Sequence, residues 1–189
     1  MKRLAVYCGS AMGVDPAFEA TARALGEEMA RRGVDLVYGG GRLGLMGVVA
    51  DAVLGGGGKV FGVIPQALTD LEVAHPGLTE LHTVTTMHER KAKMTELTDA
   101  FVALPGGIGT FDELFEAWTW NALGYHAKPF CLLQVNGFWD SMIGFLDQVT
   151  AHGFMSAARR AQLLVAQDIG EALEKLDSAA GASERKMVW

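Results

Sequence analysis

The chain has 189 residues, a length typical of one domain, and half of them are hydrophobic, which is enough for a sizeable core. Lysine and arginine number 16 against 22 aspartates and glutamates, so the formal net charge is −6. Because affinity for nucleic acids and anionic membranes comes mostly from excess lysine and arginine, this balance argues against a general binder of either. It leaves room for one small anionic ligand in a local positive pocket.

The two cysteines, Cys8 and Cys131, lie in apolar runs that are typical of buried strands. They form neither a metal-ligand cluster nor a secretory disulfide framework. The first apolar run stops at Gly9 and Ser10, short of a signal peptide, and no stretch is long enough for a membrane span. We therefore expect a cytoplasmic protein with reduced thiols, no membrane association and no nucleic-acid partner.

Apolar strand-like runs alternate with segments of helical period along the chain. The first predicted helix has the clearest ends, with Asp15 as N-cap, Pro16 at the first helical position and Gly33 just past the end. In chain order, the predicted elements are the strand Leu4–Cys8, the helix Pro16–Arg32, the strand Asp35–Tyr38, the helix Leu45–Leu54, the strands Lys59–Ile64 and Leu81–Thr85, the helix Met87–Leu97, the strand Ala100–Leu104, the helix Phe111–Leu123, the strand Pro129–Val135, the helix Trp139–Ala151, the strand Gln162–Ala166 and the helix Ile169–Leu176.

This alternation predicts right-handed βαβ crossovers, and strands that are apolar throughout indicate a sheet covered on both faces. We therefore predict an α/β fold, a Rossmann-like three-layer sandwich around a mainly parallel sheet. It should form a single domain over residues 1–178, followed by a flexible tail over 179–189. Such sheets bind ligands in the loops that leave the carboxyl ends of strands.

The most informative loop follows the strand Ala100–Leu104 and contains Gly106, Gly107 and Gly109. Glycines let the backbone approach a ligand closely, and the start of a helix offers free N–H groups and the positive end of its dipole. Thr110 adds a hydroxyl group. The pattern predicts a phosphate site, although a tight turn without a ligand is the alternative.

Two further glycine-rich loops follow the first and second predicted strands. Ser10 lies in the first, whereas the second runs from Gly39 through Gly40 and Gly41 to Gly44 and formally matches the dinucleotide fingerprint G-x-G-x-x-G. That fingerprint requires an acidic residue at the end of the next strand, which this sequence lacks. It also follows the first strand of its fold, whereas this loop follows the second. A loop that lines a nucleotide pocket fits better than an NAD site.

Two Thr-x-x-Glu patterns stand near predicted helix starts, Thr86 to Glu89 and Thr110 to Glu113. Each can form a capping box, in which the glutamate accepts a hydrogen bond from the N–H of the capping residue. For Glu113 a second interpretation is open. Its carboxylate could lie at the mouth of the phosphate site and meet a sugar carbon that becomes positive during bond cleavage.

A cation lies on the apolar side of the predicted helix Met87–Leu97. Arg90 shares a face with Met87, Met94 and Leu97, and an unpaired buried charge is very costly. Arg90 therefore needs an anionic ligand or a structural ion pair, and the neighbouring Lys91 could reach the same pocket. The five histidines show no metal-ligand spacing.

Three motifs together resemble one family. Pro105–Glu113 matches PGGxGTxxE, Met87–Lys91 matches its companion motif, and Tyr38–Gly41 matches a third block. Their order and spacing are similar to those of the LOG family of cytokinin riboside 5′-monophosphate phosphoribohydrolases, and the resemblance runs from the first strand to about Gln148. Members often carry the label lysine decarboxylase, but the chain has no Ser-x-His-Lys stretch to hold pyridoxal phosphate.

The resemblance implies a Rossmann-like homodimer that needs no cofactor and releases an adenine-type base and ribose 5-phosphate, with AMP as a substrate in many bacterial members. It implies that Arg90 and Glu113 are catalytic. Substrate contacts are implied for Glu72, Arg90, Lys91, Gly107, Ile108, Gly109, Thr110, Phe111, Asp112, Glu113 and Thr119. To these the loop patterns add Ser10, Gly40, Gly41 and Gly106.

Cleavage of an N-glycosidic bond passes through an oxocarbenium-like sugar, by analogy with glycoside hydrolysis. We expect Glu113 to stabilise that charge and to direct water, and Arg90 to orient the substrate, because guanidinium barely deprotonates. Neither a metal nor an organic cofactor is required. The alternative is a non-catalytic nucleotide or molybdenum-cofactor carrier, which would need the glycine loops but not this pair of residues.

Overall fold

A computed structural model describes residues 1–72 and 74–186, with side chains described for 1–69 and 74–182. Its strands and helices alternate as predicted. In chain order they are β1 (Arg3–Tyr7), α1 (Pro16–Arg32), β2 (Asp35–Tyr38), α2 (Gly44–Gly55), β3 (Val60–Pro65), α3 (Gln66–Glu72), β4 (Glu80–Val84), α4 (Met87–Leu97), β5 (Ala100–Ala103), α5 (Ile108–Ala122), β6 (Phe130–Leu133), α6 (Asp140–Ala151), α7 (Ala157–Arg160), β7 (Leu163–Ala166) and α8 (Ile169–Lys186).

The seven strands form one sheet in the order β4-β3-β2-β1-β5-β6-β7, and every pair of neighbours is parallel. Core residues of α1, α2 and α8 cover one face, while those of α4, α5 and α6 cover the other. The predicted α/β three-layer sandwich is confirmed. The strand order reverses beside β1, so the crevice in which open parallel sheets bind ligands lies between the loops that follow β1 and β5.

Local signals place α1 correctly at both ends. The Asp15 side chain accepts a hydrogen bond from the Ala17 N–H at 2.9 Å, and Gly33 ends the helix with φ 68°, a left-handed conformation that favours glycine. Two helices were not predicted, α3 and α7. Both are too short for a helical period to show, although the Ser156 side chain caps α7 by accepting from Arg159 N–H at 3.1 Å.

The last helix is longer than predicted. The sequence predicts an end at Leu176, but α8 continues to Lys186, so that predicted bound is wrong. The flexible tail over 179–189 stays a prediction. Three of the eight residues 179–186 are alanine, which favours helix, and Ala180 is buried. The final residues, 187–189, lie outside the described part of the chain. No helix in the described part is long and apolar enough to cross a membrane.

Candidate active site

The glycine loop after β5 leads directly into α5, whose N-cap is Gly107. No side chain caps this helix, so the N–H groups of its first turn remain available to a ligand. Ile108, at the first helical position, is 83% exposed, which leaves the end of the helix open to solvent. The positive end of the α5 dipole therefore faces an accessible loop, which is the environment that phosphate groups prefer.

The loops after β1 and β5 touch each other. Gly9 N–H donates to the Pro105 carbonyl at 3.1 Å. A Cβ atom on Gly106 would overlap Thr110 Oγ1 and lie 2.9 Å from Gly9 N, so this close approach requires glycine at position 106. The first turn of α5 is thereby held against the loop after β1.

A cavity of about 230 Å³ opens where these two loops meet. Gly106 and Gly107 line it on one side and Gly9 and Ser10 on the other, so the predicted contacts Ser10, Gly106 and Gly107 come together at the reversal of strand order. The rest of its wall is formed mainly by the residues Ala11, Met12, Gly13, Phe18, Leu45, Pro105 and Phe138.

One of the two predicted capping boxes is present and the other is not. Thr86 Oγ1 accepts from Glu89 N–H at 3.1 Å, and Glu89 Oε2 accepts from Thr86 N–H at 3.3 Å, so the box at α4 is confirmed. Because α5 begins at Ile108, Thr110 lies inside the helix and cannot be its N-cap. The capping-box interpretation of Glu113 is therefore wrong.

Arg90 is fixed on the carboxyl edge of the sheet, and the residue is only 5% exposed. Its Nε donates to the Val63 carbonyl at 3.0 Å, and its Nη2 donates to the Gly39 carbonyl at 3.1 Å. Nη2 also lies 3.9 Å from Glu113 Oε1, and both side chains of this ion pair are largely buried. The anionic partner that the sequence required for Arg90 thus includes Glu113.

The negative charge of Glu113 reaches the end of β1. Burial, followed by the charges of Glu113 and Glu116, raises the pKa of Tyr7 well above its ordinary value. Burial and the charge of Glu113 likewise raise the pKa of Cys8. Both groups stay neutral at physiological pH, so Cys8 is not a nucleophilic thiolate and the acidic charge in this region is carried by glutamates.

Lys91 contacts α5 rather than open solvent. Its Nζ lies 3.0 Å from Asp112 Oδ2 and also forms an ion pair with Glu116 Oε2. Burial lowers the pKa of Lys91, but its hydrogen bonds with Glu116 and Asp112 outweigh that effect and raise it overall. Glu116 is a residue of this region that the motifs did not reveal, although its i+4 spacing from Asp112 is a signal.

The remaining predicted contacts fall into two groups, one in the loop after β2 and one in a groove along α5 that neither Arg90 nor Glu113 lines. Gly40 has φ 80° and its carbonyl accepts from His75 N–H at 3.0 Å, while Gly41 forms an isolated antiparallel bridge with Ala74. Thr119 lies further along α5 in an open groove of about 560 Å³. The other residues that line this groove are His88, Ile108, Phe111, Asp112, Phe115, Glu116 and Trp120.

The side chain of Glu72 lies outside the described residues. Among described side chains, no group of three or more histidines, cysteines, aspartates and glutamates is arranged to hold a metal ion.

Comparison with known proteins gives one consistent result. A family model described as "Possible lysine decarboxylase" matches residues 46–176. The cytokinin riboside 5′-monophosphate phosphoribohydrolase LOG of Oryza sativa subsp. japonica is 45% identical over 188 residues, which cover 100% of this chain and 78% of that protein. The cytokinin riboside 5′-monophosphate phosphoribohydrolase of Rhodococcoides fascians is 45% identical over 178 residues, covering 94% of this chain and 90% of that protein.

Among solved structures, the molybdenum cofactor binding protein from the phototrophic bacterium Rippkaea orientalis has a TM-score of 0.71 at 20% identity. The match covers 94% of this chain and 96% of that one, and it shows a shared fold alone. The matches in sequence go further, because they cover nearly the whole chain at high identity. The chain therefore belongs to the LOG family of cytokinin riboside 5′-monophosphate phosphoribohydrolases.

Proposed function

We propose that this protein hydrolyses the N-glycosidic bond of adenine-type nucleoside 5′-monophosphates, AMP and cytokinin riboside 5′-monophosphates among them. The products are the free base and ribose 5-phosphate. The observation that carries the proposal is the buried Arg90–Glu113 pair beside the uncapped start of α5. The names of the rice and Rhodococcoides relatives support the same reaction.

The 5′-phosphate binds at the N–H groups of the first turn of α5, with Gly106 and Gly107 close behind it. This phosphate takes no part in bond cleavage, so its binding energy serves to position the ribose. Glu113 lies further along the same helix, where its carboxylate faces the anomeric carbon. Loss of the phosphate should therefore lower the rate of cleavage and not only the affinity.

Glu113 stabilises the positive charge that develops as the bond between C1′ and the base nitrogen breaks. Water then adds to C1′, and Glu113 accepts one proton from that water. The departing base takes up one proton from solvent and leaves in neutral form, and Glu113 then releases to solvent the proton that it took from water, so atoms and charge balance. Arg90 does not supply this proton, because its guanidinium does not deprotonate in proteins. Since two backbone carbonyls hold it, Arg90 provides a fixed positive charge that orients the substrate.

We also propose that the protein acts as a homodimer in the cytoplasm. Of the aromatic residues on α5, Trp118 is buried in the core, but Phe115 remains exposed near Ile108, and Leu123 is exposed beyond them. Exposed apolar residues grouped along one helix are typical of a surface covered by a partner. Light scattering on the purified protein tests this, and a monomer at micromolar concentration would contradict it.

The activity is tested by incubating the protein with AMP and with adenosine, and by following adenine by chromatography. We expect adenine and ribose 5-phosphate from AMP, and a much lower rate from adenosine because it lacks the anchoring phosphate. Equal rates on both would contradict the role of the phosphate. AMP that stays bound and intact would favour the non-catalytic carrier.

A further inference from the structure

Helices α4 and α5 meet through two adjacent sets of ion pairs. Arg90 of α4 faces Glu113 of α5 at 3.9 Å, and the next residue, Lys91, contacts both Asp112 and Glu116. Arg90 and Lys91, which are consecutive on α4, thus pair with residues on neighbouring turns of α5. We call Lys91, Asp112 and Glu116 the Lys91 triad.

Within the Lys91 triad, Glu116 is the stronger anchor. The Lys91 side chain is 12% exposed and that of Glu116 is 20% exposed, whereas that of Asp112 is 52% exposed. Water and salt screen a charge pair less when it is shielded from solvent, so the bond to Glu116 holds Lys91 more firmly than the bond to Asp112. If Lys91 released Glu116, it would keep the more exposed Asp112 as a partner, whereas the largely buried Glu116 would be left with His88 Nδ1, 3.7 Å from its Oε1.

Because Lys91 follows Arg90 directly, the position of its ammonium group restricts the position of Arg90. Hydrogen bonds to Val63 and Gly39 fix Arg90 on the sheet, but they do not fix α5. Leu114, Ala117 and Trp118 pack α5 on the sheet, and contacts between α4 and α5 add a second restraint on how far Glu113 lies from that guanidinium. The Lys91 triad is a charged contact of this kind: Lys91 is one residue from Arg90 on α4, and Asp112 and Glu116 are one and three residues from Glu113 on α5.

We propose that Glu116 is a positioning residue of this enzyme: it holds Lys91 and thereby fixes α4 against α5 so that Arg90 faces Glu113. The proposal rests on the proposed function, since it assigns the pair Arg90–Glu113 to catalysis. Glu116 itself does not touch the reacting atoms. Its effect on the reaction is transmitted through the separation of the two catalytic side chains.

The charges around the site agree with this role. Glu113 and Glu116 are three residues apart on α5, and both of their charges raise the pKa of Tyr7, so both lie near the same buried end of β1. Like charges at this spacing on a helix repel each other. Pairing Glu116 with Lys91 compensates the second carboxylate, which leaves Arg90 to interact with Glu113.

Glu116 Oε1 adds a separate observation. This atom is buried without a hydrogen-bond partner among the described residues, and it lies 3.7 Å from His88 Nδ1. A buried carboxylate with one oxygen unsatisfied is costly. The bond from Oε2 to Lys91 is therefore the main interaction that keeps Glu116 in this position.

The test compares Glu116→Gln with the wild-type enzyme on AMP. The substitution keeps the shape of the side chain and removes its charge, so α4 and α5 should shift while the phosphate loop stays intact. We expect kcat to fall about tenfold or more, since a misplacement of about 1 Å can cost about a hundredfold. KM should change by less than about threefold, because the ground-state contacts are retained.

The matched control is Glu96→Gln. Glu96 pairs with Lys93 at 3.1 Å on the same helix α4, and its side chain is 69% exposed. This variant also loses one carboxylate from an ion pair with lysine, but the pair lies within α4 and does not join α4 to α5, so its kcat and KM should equal those of the wild type. A wild-type kcat in Glu116→Gln would overturn the proposal, as would a loss of kcat that Glu96→Gln shares.

Crystal structures of the wild type and of Glu116→Gln give a readout that does not depend on activity. We expect the distance between Arg90 Nη2 and Glu113 Oε1 to lengthen in the variant. An unchanged distance would refute the positioning role even if the variant were slow. If the wild type released no adenine from AMP, the proposed function would fail, while the two distances would still decide whether Glu116 sets the geometry of the pair.

Discussion

Gly39→Ala should displace Arg90 from the site. A Cβ atom on Gly39 would overlap Arg90 Nη2, and it would lie 3.2 Å from Cζ and 3.3 Å from Met46 Sδ. The Gly39 backbone suits any residue, so the conflict is mainly with the guanidinium, while Met46 Sδ need move by only a few tenths of an ångström. That group is buried and held by the Val63 carbonyl, so it cannot swing away freely and must retreat by about 1 Å to restore van der Waals contact.

Two losses follow from this displacement. Arg90 loses its hydrogen bond to the Gly39 carbonyl, which for a charged donor is worth about 1.5–3 kcal/mol. The Arg90–Glu113 geometry also changes, and an error of about 1 Å in a catalytic group costs about a hundredfold in rate. We therefore expect kcat for adenine release from AMP to fall about a hundredfold, with a lower Tm.

Gly55→Ala is the matched control. Gly55 is the last residue of α2, and a Cβ atom there would meet nothing within 4 Å. This variant adds the same methyl group on a neighbouring element, so kcat should equal the wild-type value and Tm should not fall. A wild-type kcat in Gly39→Ala would refute the reasoning that fixed placement of Arg90 limits the reaction.

Two further predictions concern single titratable side chains. Glu113→Gln should lose most turnover on AMP and should also lower the Tm, because it leaves the buried charge of Arg90 without this carboxylate; an unchanged kcat would remove Glu113 from the mechanism. Burial, followed by the positive charge of Lys128, lowers the pKa of His126 from 6.5 to about 4. Between about pH 4 and pH 6.5, His126 therefore binds a proton in the unfolded chain but not in the folded protein. The free energy of unfolding should fall as the pH drops through this range. In urea titrations at pH 7 and pH 5, His126→Gln should lose less stability on acidification than the wild type, and an equal loss would contradict the assignment.

The sequence predicts best what depends on neighbouring residues. The bounds of α1 follow from Asp15, Pro16 and Gly33, and the capping box of α4 follows from Thr86 and Glu89, because caps are local contacts. The alternation of apolar strands and helices is sufficient to predict the parallel three-layer fold. The motifs around Arg90 and Glu113 indicated one site, since both follow strands that meet at one edge of the sheet.

The features that the sequence does not predict are of two kinds. One is a local pattern that resembles the wrong structure, and the other is a contact between residues far apart in the chain. The start of α5 was placed too late because Gly107 is an N-cap without a side-chain signal, while Thr110 with Glu113 imitates a capping box. The bonds of Arg90 to the carbonyls of Gly39 and Val63 join three separate parts of the chain. No local pattern encodes such contacts, and the pairing of Lys91 with Glu116 is hidden for the same reason.

Because β1 pairs with β5 in the sheet, the candidate active site can form only after β5 has been synthesised. Gly9 leaves the ribosome long before Pro105, the residue whose carbonyl accepts its N–H bond. Parallel pairing over such a sequence distance is slow to form, since a long loop must close first. A nascent chain that ends before β5 has neither the phosphate loop nor Glu113, so it should not bind or hydrolyse nucleotides before the second half of the sheet is added.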